Sequence, residues 1–546
     1  QIELFASRGL GFRESESHSS SHSFYILVMA FFIPIFVPAC TSFLFAVGYW
    51  ALVSEPNSFL KYMTELSKID PINAKIIVPE RFIPYYGDTQ LLQKDIDAGR
   101  PLTFVEDPMR AGAKLSLFFF GSRPRVFLHD GKLAAKLLGK DMQDHVGMDP
   151  FRSSRFSVMF PLALIASVGD NWNRLKVMFE PVFKDQLLKT QYAVTIATLA
   201  KEEFNKYEGL PALSDDDQNL GDSVDIVQLF KSLAARIIGG CAFGDSFHEQ
   251  SRSNEVAKSF TGMFKAAAKF MNSVVNQLPG CNGLLTPARS KALCAADKCR
   301  MIVKELIDKR RNEKPTSSIP DFARNAIDME QKNEVSNAEV LDNASLLVVA
   351  GHETTAYTMA WIAAIFAKYP EIYQKCKEEV RNEFTGEIDF KEESDVAKLL
   401  QLNYLRATVI EALRLFPPIP FIERLITKEF EISDKVKLRA GIGLTVNVFG
   451  IHRDERNWPN PEIPIPERHI QNNKFATPPM WKFLPFSIGQ RQCPGQRFAR
   501  QELLQVMTVF LRDYDVVFDA DQDFAMTLGL TISPICVKGR FRQKSS

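Results

Sequence analysis

The pattern of apolar and polar residues separates a short N-terminal part of the chain from a long remainder. Residues 24–53 form a run of thirty positions without a charged side chain, and about 20 apolar residues are enough for a helix to cross a bilayer. We therefore predict a transmembrane anchor at 24–53, preceded by a Ser-rich segment at 1–23 that we expect to be disordered. Because Pro34 and Pro38 interrupt helices, a hairpin lying in the membrane interface stays open as an alternative.

Beyond the anchor, apolar residues recur mostly at the spacing of helices, and we predict that no further segment is long and apolar enough to span a bilayer. Helical periodicity is found at 185–207, 225–242, 288–314 and 338–369. Runs typical of β-strands are found at 116–130, 426–450 and 514–542. Residues 54–546 are therefore predicted to form one mainly α-helical domain with small β-sheets, of the α+β class.

The longest of these helices carries an unusual polar centre. Ser336 and Glu339 form a capping-box pattern at its start, and Pro370 should end it. In its middle, AGHETT at 350–355 interrupts a run of Leu, Val and Ala. Polar groups in a buried helix are costly unless they are paired. Two interpretations stay open: threonines that bond to helix carbonyls with Glu353 in a salt bridge, or a functional acid beside a hydroxyl.

Composition excludes some classes of partner and site. With 66 basic and 65 acidic residues, the net charge is +1, so we expect no binding to nucleic acid. The eight cysteines show no CxxC spacing, which argues against a zinc site and against a disulfide framework. The 43 phenylalanines fit a large aromatic core and equally an apolar substrate pocket.

The segment FSIGQRQCPG combines residue types that a thiolate ligand of iron requires. Its five key residues are Phe486, Gly489, Arg491, Cys493 and Gly495. Glycines allow a loop to turn beneath a flat macrocycle, the arginine offers a cation for its carboxylates, and backbone amides near the sulfur tune its basicity. The loop leads into a helix-like run at 496–511, and we expect that helix start to favour the thiolate over the thiol. A structural cysteine before a helix is the alternative.

This loop resembles the FxxGxRxCxG haem-binding signature of the cytochrome P450 family at every fixed position. The AGHETT segment likewise resembles the AGxET(T/S) motif of the family's distal helix. The resemblance implies that haem b is bound with Cys493 as the iron ligand. It also implies that Gly351 opens a groove in the helix, that Thr354 donates a hydrogen bond to dioxygen, and that Glu353 helps to deliver protons.

Further residues match the family between about 115 and 540. The resemblance implies a structural charge triad of Glu411, Arg414 and Arg468. It also implies three haem contacts outside the cysteine loop, namely Trp172, Lys176 and Arg424. The family usually has Arg at the position of Lys176, and a lysine can pair with a carboxylate only as a point charge. His469 stands where the family's PERF pattern has an aromatic residue, and we expect it only to pack.

The resemblance implies a monooxygenase that inserts one atom of O2 into a lipophilic substrate, by C–H hydroxylation or epoxidation. Electrons would come from NADPH through NADPH–cytochrome P450 reductase, with cytochrome b5 as a second candidate donor, at the cytosolic face of the endoplasmic reticulum membrane. The alternatives are an oxygen-independent hydroperoxide isomerase or dehydratase of the same fold, and a non-catalytic membrane haem protein. Retention of Glu353 and Thr354 favours the monooxygenase.

Two sets of basic residues are candidates for binding surfaces. On the Cys493 side, a reductase could dock on Lys176, Lys184, Lys189, Arg497 and Arg500, although such residues are also common on solvated surfaces. Arg152 and Arg155 could hold the carboxylate of a fatty-acid substrate, or they are two exposed loop arginines.

Overall fold

The computed structural model divides the chain into two compact units, Gln1–Asn57 and Ser58–Ser546. It describes residues 54–542 with gaps at 55, 81–87, 89–93, 96–97, 99, 121–122, 149–156, 208–222, 245–249, 272–285, 314–319, 387, 389 and 520–523. The predicted disordered segment at 1–23 and the predicted anchor at 24–53 both lie outside the described residues.

Helices make up most of the second unit, as the apolar periodicity predicts. Residues 58–69 are helical. In chain order the labelled helices are α1 Thr103–Arg110, α2 Gly131–Leu138, α3 Gly169–Lys176, α4 Asp185–Lys189, α5 Gln191–Phe204, α6 Ile226–Phe243, α7 Gln250–Met271, α8 Pro287–Arg311, α9 Phe322–Gln331, α10 Asn337–Lys368, α11 Pro370–Glu383, α12 Glu393–Lys398, α13 Asn403–Leu415, α14 Val448–Ile451 and α15 Gln496–Asp513.

The strands form one larger sheet and several small ones. They are β1 Ile76–Ile77, β2 Leu115–Phe120, β3 Arg123–Leu128, β4 Val146–Gly147, β5 Val224–Asp225, β6 Phe421–Ile426, β7 Phe430–Glu431, β8 Lys437–Leu438, β9 Gly443–Asn447, β10 Ile470–Gln471, β11 Lys474–Phe475, β12 Asp515–Phe518, β13 Met526–Leu528, β14 Ile532–Pro534 and β15 Lys538–Arg542. The six-stranded sheet has the order β1-β2-β3-β9-β6-β4, with parallel pairing for β1/β2 and β3/β9 and antiparallel pairing elsewhere. The mainly α fold with small sheets is confirmed.

Helix α10 is the central element of the helical core. Its 32 residues span about 48 Å, and it packs against α6, α8, α13 and α15. The predicted capping box is present, because the Ser336 side chain accepts from the Glu339 amide while the Glu339 carboxylate accepts from the Ser336 amide. The helix ends before Pro370, which starts α11. The ends of α10 therefore follow from local sequence.

Two expectations about helices need correction. The segment 185–207 is not one helix: Thr190 leaves helical geometry with φ −120° and ψ −96°, and its hydroxyl donates to the Gln186 carbonyl, which separates α4 from α5. In addition, α6 is long and apolar enough to cross a membrane by length and composition alone. Because most of α6 is buried within the domain, we interpret it as a core helix.

Candidate active site

The loop before α15 presents Cys493 at its end. Gly489 has φ +78°, and a Cβ at this position would lie 2.0 Å from the Leu138 carbonyl oxygen, so only glycine fits the turn. The Cys493 amide donates to the Phe486 carbonyl at 2.9 Å, and Gly495 is the N-cap of α15. The Cys493 side chain is exposed. The loop therefore offers a thiol to a ligand.

The protein alone does not favour the thiolate form of Cys493. Although the side chain has solvent-accessible surface, protein atoms surround it on its other sides. This desolvation raises the pKa of the Cys493 thiol to about 11, and the Gly495 amide only partly offsets the effect. The start of α15 therefore acts in the expected direction, through the Gly495 amide, but desolvation outweighs it in the protein without a metal. Binding of a metal cation would supply the missing stabilisation, because coordination deprotonates a thiol.

Arg491 has the environment expected of a residue that pairs with an anionic cofactor. Its guanidinium carbon lies 4.2 Å from the centre of the Trp172 ring, and Nη2 donates to the Ser167 carbonyl at 3.0 Å. Burial lowers the pKa of Arg491 to about 10. Within the described ranges no carboxylate pairs with it. A desolvated cation without a counterion, beside an exposed cysteine, fits a haem with propionate groups.

The other residues expected near the haem take varied positions. Arg424 is buried on β6 and donates to the Glu423 carbonyl at 2.9 Å. Phe486 is partly buried, and the guanidinium carbon of Arg500 lies 5.4 Å from the centre of the Phe486 ring. Lys176 is half exposed, 5.4 Å from the Trp172 ring and 3.9 Å from the Glu180 carboxylate. Lys176 therefore lies beside Trp172 and an exposed carboxylate.

The polar centre of α10 opens onto free space in an otherwise buried helix. Ala350 is exposed and Thr354 is partly exposed, whereas the residues around them are buried. The Thr354 hydroxyl donates to the Ala350 carbonyl at 2.8 Å, so it is held within the helix and faces the opening. A Cβ on Gly351 would approach the Ile238 side chain to 2.7 Å. The glycine therefore allows α6 and α10 to pack closely.

Glu353 is a buried acid that stays able to exchange protons. Its side chain is within hydrogen-bond reach of the Tyr357 hydroxyl at 3.5 Å and the Thr531 hydroxyl at 3.4 Å. Burial raises the pKa of Glu353 to about 7, against the opposing effect of Lys231 and of the two hydroxyls. An acid with this pKa can both release and take up a proton near neutral pH. No salt bridge of Glu353 is present among the described residues.

A contact that the sequence did not predict joins the two motifs. Thr355 follows Thr354 on α10, and Glu502 lies nine positions after Cys493 on α15. Their side chains meet, with Thr355 Oγ1 3.3 Å from Glu502 Oε1. Glu502 is fully buried, and burial raises its pKa well above the usual range of a carboxyl group. The distal-helix motif and the cysteine loop are therefore tied together through a neutral carboxyl.

We expect Glu502→Gln to make the fold more stable than the parent above about pH 5. The folded protein keeps the Glu502 proton, whereas the unfolded chain loses it above the ordinary glutamate pKa of 4.5. The parent should therefore lose stability relative to the variant as pH rises, by up to about 1.4 kcal/mol per pH unit. Urea unfolding at several pH values measures this difference. Glu378→Gln, at an exposed site, is the control, and a pH-independent difference for Glu502→Gln would contradict the assignment.

The structural charge triad is present and has a fourth member. Arg414 donates to both oxygens of Glu411 at 2.8 Å, and Arg468 Nε donates to Glu411 Oε2 at 3.3 Å. His469 Nε2 lies 2.7 Å from Glu411 Oε1. The expectation that His469 only packs is therefore wrong, because it bonds to the buried carboxylate. The sequence pattern around His469 gives no sign of this contact, which crosses 58 positions of the chain.

The candidate docking residues are less available than the sequence indicates. Lys189 pairs with Glu393 at 2.7 Å, and Arg497 pairs with Asp185 at 2.6 Å. Such exposed pairs are weak, so an acidic partner could still displace them. The candidate substrate residues Arg152 and Arg155 lie outside the described residues.

Comparison with known proteins matches most of the chain to one family. A family model described as Cytochrome P450 matches residues 79–537. Cytochrome P450 4F11 of Homo sapiens is 28% identical over 372 residues, covering 65% of this chain and 68% of the relative. Leukotriene-B4 omega-hydroxylase 3 of Mus musculus is 27% identical over 377 residues (65% and 68%). Cytochrome P450 3A28 of Bos taurus is 25% identical over 455 residues (80% and 83%).

Proposed function

The chain belongs to the cytochrome P450 family of haem-thiolate monooxygenases, and from this premise we propose that Cys493 is its iron ligand. We further propose that it oxidises a lipophilic substrate with electrons from an NADPH-dependent reductase. The strongest support is the environment of Cys493. An exposed thiol stands on a loop whose turn requires glycine, and nearby Arg491, which pairs with no carboxylate among the described residues, lies against Trp172.

Several side chains are suited to hold haem b. Arg491 and Arg424 would pair with its propionate groups, and Trp172 would offer its ring to the same edge. Lys176 is a weaker candidate, because it already lies close to Glu180. When bound, the haem supplies the activation of dioxygen and the transfer of one oxygen atom to a C–H bond or an alkene. Cys493 would be deprotonated on coordination.

Glu353 and Thr354 would deliver protons to the dioxygen site. Thr354 lies in the partly exposed middle of α10, and its hydroxyl donates to the Ala350 carbonyl. Glu353, next to it in sequence, is buried and has a pKa of about 7. A hydroxyl group at the site and an adjacent acid that can be reprotonated together make a short proton route in a region that otherwise excludes water.

Our proposals for the electron donor and for the membrane location rest on the resemblance to the family. We propose NADPH–cytochrome P450 reductase as the donor, with cytochrome b5 as the second candidate. The reductase would dock on the side of Cys493, where Lys184, Lys189 and Arg497 lie. With 24–53 as the anchor, the catalytic domain at 54–546 would face the cytosol from the endoplasmic reticulum membrane.

Fatty acids are the first substrate class to test. One relative is named for ω-hydroxylation of leukotriene B4, and the chain itself offers Arg152 and Arg155 as partners for a carboxylate. Fatty-acid binding, followed by optical titration, should weaken in Arg152→Ala and Arg155→Ala if these residues hold the carboxylate. Unchanged binding in both variants would remove that assignment while leaving the monooxygenase function in place.

Reconstitution with purified reductase tests the proposed function. Product formation should require NADPH, dioxygen and reductase together, with one oxygen atom of the product derived from labelled dioxygen. Consumption of a lipid hydroperoxide without NADPH would instead indicate an isomerase or dehydratase. Retained haem without any turnover in a broad substrate set would indicate a non-catalytic haem protein.

A further inference from the structure

Helices α6 and α10 carry a cluster of buried polar side chains that includes Glu353. Lys231 of α6 has 6% of its surface exposed, and His352 and Glu353 of α10 are 0% and 2% exposed. A lysine is almost never this deeply buried without a partner. The cluster therefore contains three polar side chains whose burial has to be compensated.

Direct contacts within the protein do not provide this compensation for Lys231. In the described part of the chain, the Lys231 ammonium makes no hydrogen bond or ion pair, whereas the His352 ring interacts with the backbone of Lys231. The Lys231 ammonium lies 5.5 Å from the centre of the Tyr357 ring, and the Tyr357 hydroxyl reaches Glu353 Oε1 at 3.5 Å. Buried polar groups without protein partners normally bind ordered water. We therefore expect ordered water to bind the Lys231 ammonium.

Lys231 is the main cation that acts on Glu353. It opposes the effect of burial on the Glu353 pKa, with a smaller effect from the exposed Lys265 of α7. Lys265 and Asp225 also act on Lys231, and the first lowers and the second raises its pKa. His352 is neutral, because burial lowers its pKa to about 3. The remaining neighbours of Glu353, Tyr357 and Thr531, contribute hydrogen bonds only.

We propose that Lys231 is a positioning residue for proton delivery: its buried ammonium group lies against the ring of Tyr357, whose hydroxyl reaches Glu353, and it keeps the Glu353 carboxyl able both to release and to regain a proton. This rests on the proposed monooxygenase function, in which Glu353 supplies protons. Without Lys231, the Glu353 carboxyl would stay protonated over a wider range of pH, and it would release its proton less readily.

The protonation of Glu353 can be measured without turnover. Infrared spectra of the haem-loaded protein with ¹³C-labelled glutamate, compared with the same spectra of Glu353→Gln, identify the band of the protonated Glu353 carboxyl. We expect its titration midpoint near pH 7 in the parent. In Lys231→Met it should shift upward by about one pH unit or more. Lys231→Arg and the exposed-site control Lys332→Met should keep the parent midpoint.

Steady-state kinetics then show whether the shift matters. In Lys231→Met, kcat should fall about 10-fold near neutral pH with little change in KM, more reduced dioxygen should leave as hydrogen peroxide, and Lys231→Arg should restore the parent values. If Lys231→Met does not fold, Lys231→Gln must give the same shift. If the parent oxidises substrate but Lys231→Met keeps the parent titration midpoint, the proposed role of Lys231 is wrong and the proposed function stands. Absence of NADPH-dependent oxidation in the parent overturns the proposed function instead, whatever the midpoint does.

Discussion

Replacing Arg414 with Met should destabilise the folded protein by about 3 to 5 kcal/mol. Arg414 and Glu411 are both fully buried, and the two bonds between them leave the Glu411 carboxylate ionised in the core. Burial acts to raise the pKa of Glu411, but Arg414 and His469 lower it to about 2. Removal of the guanidinium would leave a buried carboxylate with too few partners.

Arg414 also ties α13 to backbone segments that lie far along the chain. Its Nη1 donates to the carbonyls of His452 and Pro461, and its Nη2 donates to the carbonyl of Ile463. All three carbonyls would lose this donor in the variant, although Arg468 would still reach Ile463 at 3.3 Å. Urea unfolding of the haem-loaded protein, followed by fluorescence and by circular dichroism, measures the loss.

Two further variants provide the comparison for Arg414→Met. His469→Phe removes only one bond to Glu411 and should destabilise the protein by about 1 to 3 kcal/mol. Arg439→Met, at an exposed position where the guanidinium lies 4.4 Å from the centre of the Tyr62 ring, should destabilise the protein by no more than about 1 kcal/mol. If Arg414→Met were no more destabilising than Arg439→Met, the buried charge cluster would not hold this part of the fold.

Replacing Glu353 with Gln should lower the rate of product formation about 100-fold. The amide is close in shape to the acid but cannot release a proton at neutral pH. Since Thr354 would then lack its adjacent acid, reduced dioxygen should leave as hydrogen peroxide more often. The ratio of product formed to NADPH consumed, measured with reductase at neutral pH, reports this loss.

The pH dependence separates proton delivery from substrate binding. The parent has a Glu353 pKa of about 7, so its rate should change around that pH. Glu353→Gln should lose that change and keep the parent KM within about twofold. A variant that retained the parent rate and pH profile would show that protons reach the site by another route.

Local sequence predicts the parts of this fold whose determinants are close together in the chain. The start of α10 follows from the capping box of Ser336 and Glu339, and its end follows from Pro370. In the cysteine loop, position 489 must be glycine because the turn there has a positive φ and passes close to the Leu138 carbonyl. These are contacts over a few residues or requirements of backbone geometry, and both leave a pattern in sequence.

Contacts between distant segments leave no such pattern. The bond between Thr355 and Glu502 joins positions 147 apart, and the bond between His469 and Glu411 joins positions 58 apart. In sequence, Lys231 is one of two charged residues in an otherwise largely apolar helix, and only the packing of α6 on α10 places it against Tyr357, next to Glu353. The pKa of Cys493 likewise depends on desolvation by the whole surrounding fold, which outweighs the nearby helix start.

The central claim is that Cys493 ligates the haem iron as a thiolate, and a carbon-monoxide difference spectrum of the reduced protein tests it most directly. The parent, extracted from membranes and reduced with dithionite, should show the red-shifted Soret band of a thiolate-ligated haem. Cys493→His should bind haem but lose that band. A normal haem–carbon monoxide spectrum from freshly prepared, undegraded parent, or an unchanged red-shifted band in Cys493→His, would contradict the assignment of Cys493.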